Sequence, residues 1–331
     1  MDMYNSVMLF VFGLLMLIKG GDWFVDGATA IARKFHLPEL LIGATVVSIG
    51  TTLPEVMVSA SASFAGQGGM AYGNAIGSII CNTSLIAAIT IAVKPGKAER
   101  KTLILPVCFF AAAAAFYAGT AYITGKFSRI TGIILVCGFV VYMTLVVLQM
   151  FKNKSETETV EPVEAEEESN EPIWKSILML VVGAAVIALG ADLLVDNGTF
   201  IAQTLGVPET VIALTFVALG TSLPELVTAI TSLAKGHGSL SLGNIIGANL
   251  FNLVLVSGVS VIINPFDVPS AATIFGINAS FVLDLPVMFA VMGIMIIPVL
   301  ISQKLSRIQG ISLLCIYAAY CSMQFLMPLF A

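Results

Sequence analysis

The sequence predicts an all-α, polytopic membrane protein with ten transmembrane helices in two inverted five-helix repeats. Three observations lead there. The 331 residues are 58% hydrophobic and 11% charged, whereas a soluble domain carries roughly 25% charged residues. The apolar residues fall in runs of about twenty, enough for a helix to cross the hydrocarbon core. Motifs of the first half return in the second at a fixed distance.

The predicted spans lie near 5–31, 39–65, 70–93, 102–123, 128–150, 173–200, 208–234, 239–263, 284–303 and 306–329. The first run lacks a preceding basic stretch and continues past Gly13, so it reads as a span and not as a cleaved signal. Span nine opens on Asp284-Leu285-Pro286, an N-cap with proline in the first turn. That leaves 264–283 as a loop, with a short interfacial helix expected around Ala271–Phe281. The chain thus divides into a first repeat (1–150), a linker (151–172) and a second repeat (173–331). The net charge of −5 is concentrated, because eight of the twenty acids lie between Glu156 and Glu171. This stretch has no apolar periodicity and reads as a solvated tether. The five cysteines, Cys81, Cys108, Cys137, Cys315 and Cys321, sit in apolar runs without a CxxC pair and are expected to be buried small apolar residues.

Basic residues set the expected orientation. Arg33, Lys34, Lys94, Lys97, Arg100, Lys101, Lys152, Lys154, Lys175, Lys235, Lys304 and Arg307 fall on one side, against Lys126 and Arg129 on the other. The first group is assigned to the cytoplasm, with both termini outside and the acidic linker inside. Nothing in the charge pattern points to nucleic acid, and no obligatory protein partner is expected beyond the lipid bilayer.

Gly50-Thr51-Thr52-Leu53-Pro54-Glu55 recurs as Gly220-Thr221-Ser222-Leu223-Pro224-Glu225, and Gly73-Asn74-Ala75-Ile76-Gly77 as Gly243-Asn244-Ile245-Ile246-Gly247. Asn82 matches Asn252, Asp22 matches Asp192, Asp26 matches Asp196, and Pro38-Glu39 matches Pro208-Glu209, all 170 residues apart. Lys126-Phe127-Ser128-Arg129-Ile130 returns as Lys304-Leu305-Ser306-Arg307-Ile308 at a spacing of 178. Five is an odd number of spans, so the second copy must be upside down relative to the first. Inverted repeats around a midplane site are a recurring secondary-transporter architecture.

Glu55 and Glu225 sit roughly 20–25 Å into their spans at 1.5 Å rise per residue, inside the hydrocarbon zone. A carboxylate there costs several kcal/mol unless it is paired or coordinates something. No Lys or Arg lies at comparable depth in spans two, three, seven or eight, so a mobile cation is the expected partner. Pro54 and Pro224 withhold an N–H and are expected to free carbonyls around Ser48–Gly50 and Ala218–Gly220. Thr51, Thr52, Thr221 and Ser222 add hydroxyls, and Asn82, Asn252 and Ser78 add further oxygens. This all-oxygen set suits a hard cation such as Ca²⁺, which takes six to eight ligands, and serves zinc, copper or iron poorly. Asp22, Asp26, Asp192 and Asp196 read as interfacial anchors. Gly20, Gly43, Gly73, Gly77, Gly243 and Gly247 read as positions of close helix packing.

On these residues the chain resembles the cation/Ca²⁺ exchanger superfamily, most closely the prokaryotic sodium/calcium exchangers. The family's two α-repeats correspond to Gly43–Val93 and Ala213–Ile263. The resemblance implies a core of spans two, three, seven and eight, with spans one and six as a sliding pair. It further implies that Glu55 and Glu225 bind Ca²⁺ and Na⁺ alternately and that Thr51 and Thr221 supply carbonyls to Ca²⁺. Asn82 and Asn252 would shape the central site. Ser48 and Ala218 would offer carbonyls, and Thr52, Ser222 and Ser78 hydroxyls, to flanking Na⁺ sites. Two positions depart from the pattern. Ala248 stands where Ser78 has its equivalent, and Asn252 stands where some relatives have Asp, which argues against K⁺ cotransport.

The expected function is secondary active Na⁺/Ca²⁺ antiport by alternating access in the prokaryotic plasma (inner) membrane, with Ca²⁺ and Na⁺ as substrates and no cofactor. The surplus of oxygens over what one Ca²⁺ needs predicts more than two Na⁺ per Ca²⁺ and hence electrogenic exchange. H⁺/Ca²⁺ antiport is the alternative. A Ca²⁺-permeable channel fits less well, since channels build selectivity around a continuous pore. An enzyme is not expected, for want of a nucleophile–base pair or a His-rich metal site.

Overall fold

A computed structural model describes residues 3–35, 37–157, 172–205, 220–269, 273–274 and 276–330. Helices dominate. They are α1 (Met3–Lys34), α2 (Glu39–Phe64), α3 (Gly68–Val93), α4 (Arg100–Thr124), α5 (Arg129–Thr157), α6 (Ile173–Thr204), α7 (Leu223–Ala234), α8 (Gly238–Ile263), α9 (Ser280–Ser302) and α10 (Arg307–Phe330). Eight of them are long and apolar enough by themselves to cross a bilayer. With α7 and α10 they make up the ten-helix membrane fold that the span count predicts.

Burial sorts the helices into an inner and an outer set. The most apolar window of α8 is 83% buried and that of α3 72%, against 28% for α1, 28% for α5 and 22% for α6. The outer helices present Val7, Phe12, Leu15, Ile133, Val140, Ile177 and Val181 outward, as lipid contact requires. Two apolar clusters hold the molecule together. One joins α3, α4, α5, α8 and α9 through Ile76, Ile79, Phe110, Tyr117, Tyr142, Phe251 and Met292. The other joins α1, α2 and α6 through Leu17, Phe24, Val25, Ile42, Ile187 and Ala191. A charged contact ties α1 to the end of α7: Lys235 Nζ lies 2.7 Å from Asp26 Oδ1 and 3.3 Å from Asp22 Oδ1. Asp22 and Asp26 therefore pair with a lysine and are more than interfacial anchors. Next to them, His237 Nδ1 lies 2.6 Å from Glu39 Oε1.

The inverted repeat is written into the loops. Short strands β1 (Lys126–Phe127) and β2 (Phe266–Asp267) pair antiparallel, Lys126 opposite Asp267. Lys97 pairs antiparallel with Lys304. These are the same contact seen from the two repeats, because the sequence offsets carry Lys126 to Lys304 and Lys97 to Asp267. The backbone bonds agree: Val268 donates to Gly125 at 2.9 Å, and Ala98 to Gln303 at 3.2 Å. Gly125 and Gln303 both end their helices in the left-handed region, at φ 67° and 55°. For Gln303 that conformation carries a steric cost, held by the neighbouring strand contact.

Several expectations are corrected. Among the described residues of Ala271–Phe281 no interfacial helix forms: β3 (Thr273–Ile274) and β4 (Ile277–Asn278) pair antiparallel there, and α9 starts at Ser280. Asp284 consequently lies inside the helix. Instead of capping, its carboxylate accepts from Tyr320 at 3.1 Å and Gln324 at 3.0 Å. Pro54 does not break its helix, which runs unbroken from Ser48 to Phe64. The loosened turn lies upstream, as a π-turn at Gly43–Val47. There Ser48 Oγ donates to the Gly43 carbonyl at 2.7 Å and Tyr142 Oη to the Ala44 carbonyl at 3.0 Å, so carbonyls released by the wider turn find partners. In the second copy a helix starts at Leu223, with Pro224 in its first turn, where a missing N–H costs nothing. Of the cysteines, Cys81 alone is buried; Cys108, Cys137 and Cys315 are exposed and Cys321 is half-buried. Helix α5 continues to Thr157, past the expected start of the linker, and 158–171 lie outside the described residues.

Candidate functional site

The site forms where α2 and α7 meet α3 and α8. Glu55 lies in the middle of α2 and Glu225 in the first turn of α7, where the helix dipole favours a negative charge. Both are fully buried, and none of their four carboxylate oxygens has a hydrogen-bond partner among the described residues. They are near enough to repel one another. Two unpartnered, mutually repelling carboxylates in a buried space are costly, and a cation between them is the arrangement that relieves the cost.

Polar groups from both repeats surround this pair. Thr51, Thr52, Ser48, Ser78, Asn82, Asn252 and Ser222 are all buried, and Thr221 is half-buried. The Thr52 and Ser222 hydroxyls and both side-chain atoms of Asn82 and Asn252 have no hydrogen-bond partner among the described residues. Buried amides and hydroxyls are ordinarily satisfied, so these unpartnered groups are candidates for contact with a bound ion. Asn82 and Asn252 each open a π-turn, Asn82–Ala87 and Asn252–Val256, a local geometry frequent at functional sites. Ala248 is fully buried and brings no oxygen. Ala218 lies outside the described residues. Among the described residues no group of three or more His, Cys, Asp and Glu gathers as a metal cluster; the donors are two carboxylates and neutral oxygens.

Two sets of residues were not singled out from the sequence. The first is Asn74 and Asn244, which appeared only as part of a repeated motif. Thr51 Oγ1 donates to Asn244 Oδ1 at 3.2 Å, and Thr221 Oγ1 donates to Asn74 Oδ1 at 3.3 Å. A polar residue duplicated within an apolar span was the available signal. The second set is a run of buried hydroxyls leading from each carboxylate toward its helix end: Ser59 and Ser63 after Glu55, Thr228 and Ser232 after Glu225. Their spacing of about one helical turn puts them along one side of the helix with the carboxylate.

The close fit of α8 against α2 depends on two glycines. A Cβ on Gly243 would overlap the Leu40 carbonyl oxygen, and one on Gly247 would overlap Ser48 Oγ and the Ala44 backbone. Only glycine lets these backbones approach, and that approach delivers Asn244 to Ser48 and Thr51.

Comparison with known proteins agrees with this geometry. The family model described as sodium/calcium exchanger protein matches residues 5–148 and 175–326. The chain is 29% identical to the sodium/calcium exchanger MaX1 of Methanosarcina acetivorans, over 95% of this chain and 97% of that protein. It is 32% identical to the putative antiporter CaxA of Alkalimonas amylolytica, over 93% and 95%. Among solved structures it is similar to the sodium-calcium exchanger NCX_Mj soaked with Na⁺ and Sr²⁺, with a TM-score of 0.77 and 30% identity over 97% of this chain and 99% of that one. Fold, repeat and match across both halves agree: this chain is an integral membrane protein that belongs to the sodium/calcium exchanger family.

Proposed function

We propose that the chain exchanges Na⁺ for Ca²⁺ across a prokaryotic plasma (inner) membrane by alternating access, without enzymatic chemistry. The observation that carries this reading is the pair Glu55 and Glu225: buried, unpartnered among the described residues, and contributed by inverted repeats. Two ionised carboxylates balance one Ca²⁺ or two Na⁺. Thr51 and Thr221 serve the Ca²⁺ position with their carbonyls, and Asn82 and Asn252 shape it. Thr52, Ser222 and Ser78, with the carbonyls of Ser48 and Ala218, supply flanking Na⁺ positions. The hydroxyls at Ser59, Ser63, Thr228 and Ser232 support polar approaches from opposite faces. The repeats 1–150 and 173–331 form the two halves of the carrier. The segment that follows α5, from residue 158 to residue 172, lies on the cytoplasmic side and both termini outside, as the distribution of basic residues supports.

Because the oxygens outnumber the needs of one Ca²⁺, more than two Na⁺ exchange for each Ca²⁺, and every cycle moves net positive charge. Voltage then contributes about 2.3 kcal/mol per charge per 100 mV. The test is radiolabelled Ca²⁺ uptake into proteoliposomes under imposed Na⁺, H⁺ and K⁺ gradients at clamped potential. With Na⁺ inside, a positive interior is expected to speed Ca²⁺ entry, and H⁺ or K⁺ gradients alone are expected to drive none. Uptake driven by H⁺ alone would overturn the Na⁺ coupling, and uptake indifferent to voltage would overturn the stoichiometry.

A further inference from the structure

We propose that Asn74 and Asn244 are positioning residues for the ion site, each orienting the threonine hydroxyl of the opposite repeat; the inference rests on the exchanger reading above. The two asparagines are equivalent under the 170-residue repeat. Their contacts cross between repeats in the same way, Asn244 to Thr51 and Asn74 to Thr221. Each threonine lies four residues before its glutamate in sequence, so each crossing bond falls close along the chain to a carboxylate.

The Thr51 hydroxyl donates to Asn244 Oδ1 and lies four residues before Glu55 in the same helix. A hydroxyl has one proton and two lone pairs. With its proton committed to Asn244, the hydroxyl cannot donate to a carboxylate, and its lone pairs stay free for a cation. Without that acceptor the proton turns to the carboxylate, occupying an oxygen that would otherwise face the cation. The crossing bonds also hold α2 to α8 and α7 to α3 in register, which an ion bound by both repeats demands.

The asparagines are themselves held, but differently. Asn74 Nδ2 donates to the Glu55 carbonyl at 3.2 Å and to Ser59 Oγ at 2.8 Å. The equivalent of Ser59 is Ala229, and Asn244 Nδ2 is buried without a partner among the described residues. Asn244 is instead met on its acceptor side by Ser48, whose one hydroxyl proton is shared among the Gly43 carbonyl, the Asn244 carbonyl at 2.9 Å and Asn244 Oδ1 at 3.3 Å. Asn74 is thus fixed by its own repeat and Asn244 by the opposite one.

The experiment is a pair of double-mutant cycles, Asn244→Leu with Thr51→Val and Asn74→Leu with Thr221→Val. Isothermal titration on purified protein reads Ca²⁺ dissociation constants and their competition by Na⁺, with thermal unfolding alongside. Each single change is expected to weaken Ca²⁺ binding roughly two- to tenfold, the span of one neutral hydrogen bond. Each double variant is expected to bind no more weakly than the weaker of its singles. Losses that multiply, or Ca²⁺ binding unchanged while the unfolding temperature falls, would overturn the positioning role. Alanine in place of leucine gives the same comparison for a variant that does not fold. Absence of Na⁺-competed Ca²⁺ binding in the unmodified protein would overturn the exchanger reading and this inference together. Normal binding there with multiplicative losses overturns this inference alone.

Discussion

Glu55 and Glu225 pose a charge problem that their neighbours leave open. Each is fully buried, and the hydroxyls and amides closest in sequence either lack partners among the described residues or donate elsewhere. Removing one charge therefore has two opposite effects. It takes away half of the balance for a divalent cation, and it relieves a buried like-charge repulsion. Glu55→Gln and Glu225→Gln are each expected to abolish Ca²⁺ transport in proteoliposomes, by at least about a hundredfold if one charge–oxygen contact is worth ~3 kcal/mol. Their unfolding temperature in ion-free detergent is expected to stay level or rise. A variant that keeps wild-type exchange, or one that loses transport only by unfolding, would remove Glu55 or Glu225 from the site.

At the scale of elements, the decisive contact is α8 lying against the π-turn of α2. Gly243 meets the Leu40 carbonyl so closely that a methyl group has no room. Gly243→Ala must push the two backbones apart, an overpacking cost of roughly 1–3 kcal/mol. The neighbouring residue is Asn244, so the same displacement pulls its acceptor from Ser48 and Thr51. Lower thermal stability and weaker Ca²⁺ transport are expected together. Gly119 of α4 is the control, since a Cβ there meets nothing within 4 Å. Gly119→Ala is expected to stabilise slightly, by about 0.5–1 kcal/mol through helix propensity, with transport intact. Equal effects at both positions, read by melting in detergent and by flux, would mean that the close approach of α8 is not what matters.

For the whole molecule, the two-fold relation makes a prediction about sidedness. Lys126 and Lys304 occupy equivalent positions, each facing a strand partner from the other repeat. Inversion places them on opposite faces of the membrane. On a cysteine-free background, Lys126→Cys is expected to react with an impermeant maleimide added outside intact cells, and Lys304→Cys only after permeabilisation. Both residues are exposed, so accessibility does not confound the comparison. Reaction of both from one side would be incompatible with inverted repeats.

Some of this follows from the sequence alone, because it depends on local composition or on repetition. Runs of apolar residues determine membrane spans without reference to neighbours, since lipid demands apolar surface along the whole helix. The 170-residue recurrence with an odd span number determines the inversion. A carboxylate at mid-span, duplicated, singles out Glu55 and Glu225 as the candidate site by its cost. What the tertiary structure decided is every feature that needs a partner from elsewhere in the chain. Pro54 pointed to freed carbonyls at Ser48–Gly50, but the π-turn at Gly43–Val47, with its carbonyls met by Ser48 and Tyr142, became visible only in the packed molecule. Asp284 looked like a cap until Tyr320 and Gln324 claimed it from α10. Asp22 and Asp26 acquired their role from Lys235, more than 200 residues away. Asn74 and Asn244 were visible as letters of a motif, yet their crossing bonds to Thr221 and Thr51 exist only because two inverted halves interlock. A hydrogen bond is specified by the relative position of two groups, and for groups in different repeats that position is a property of packing.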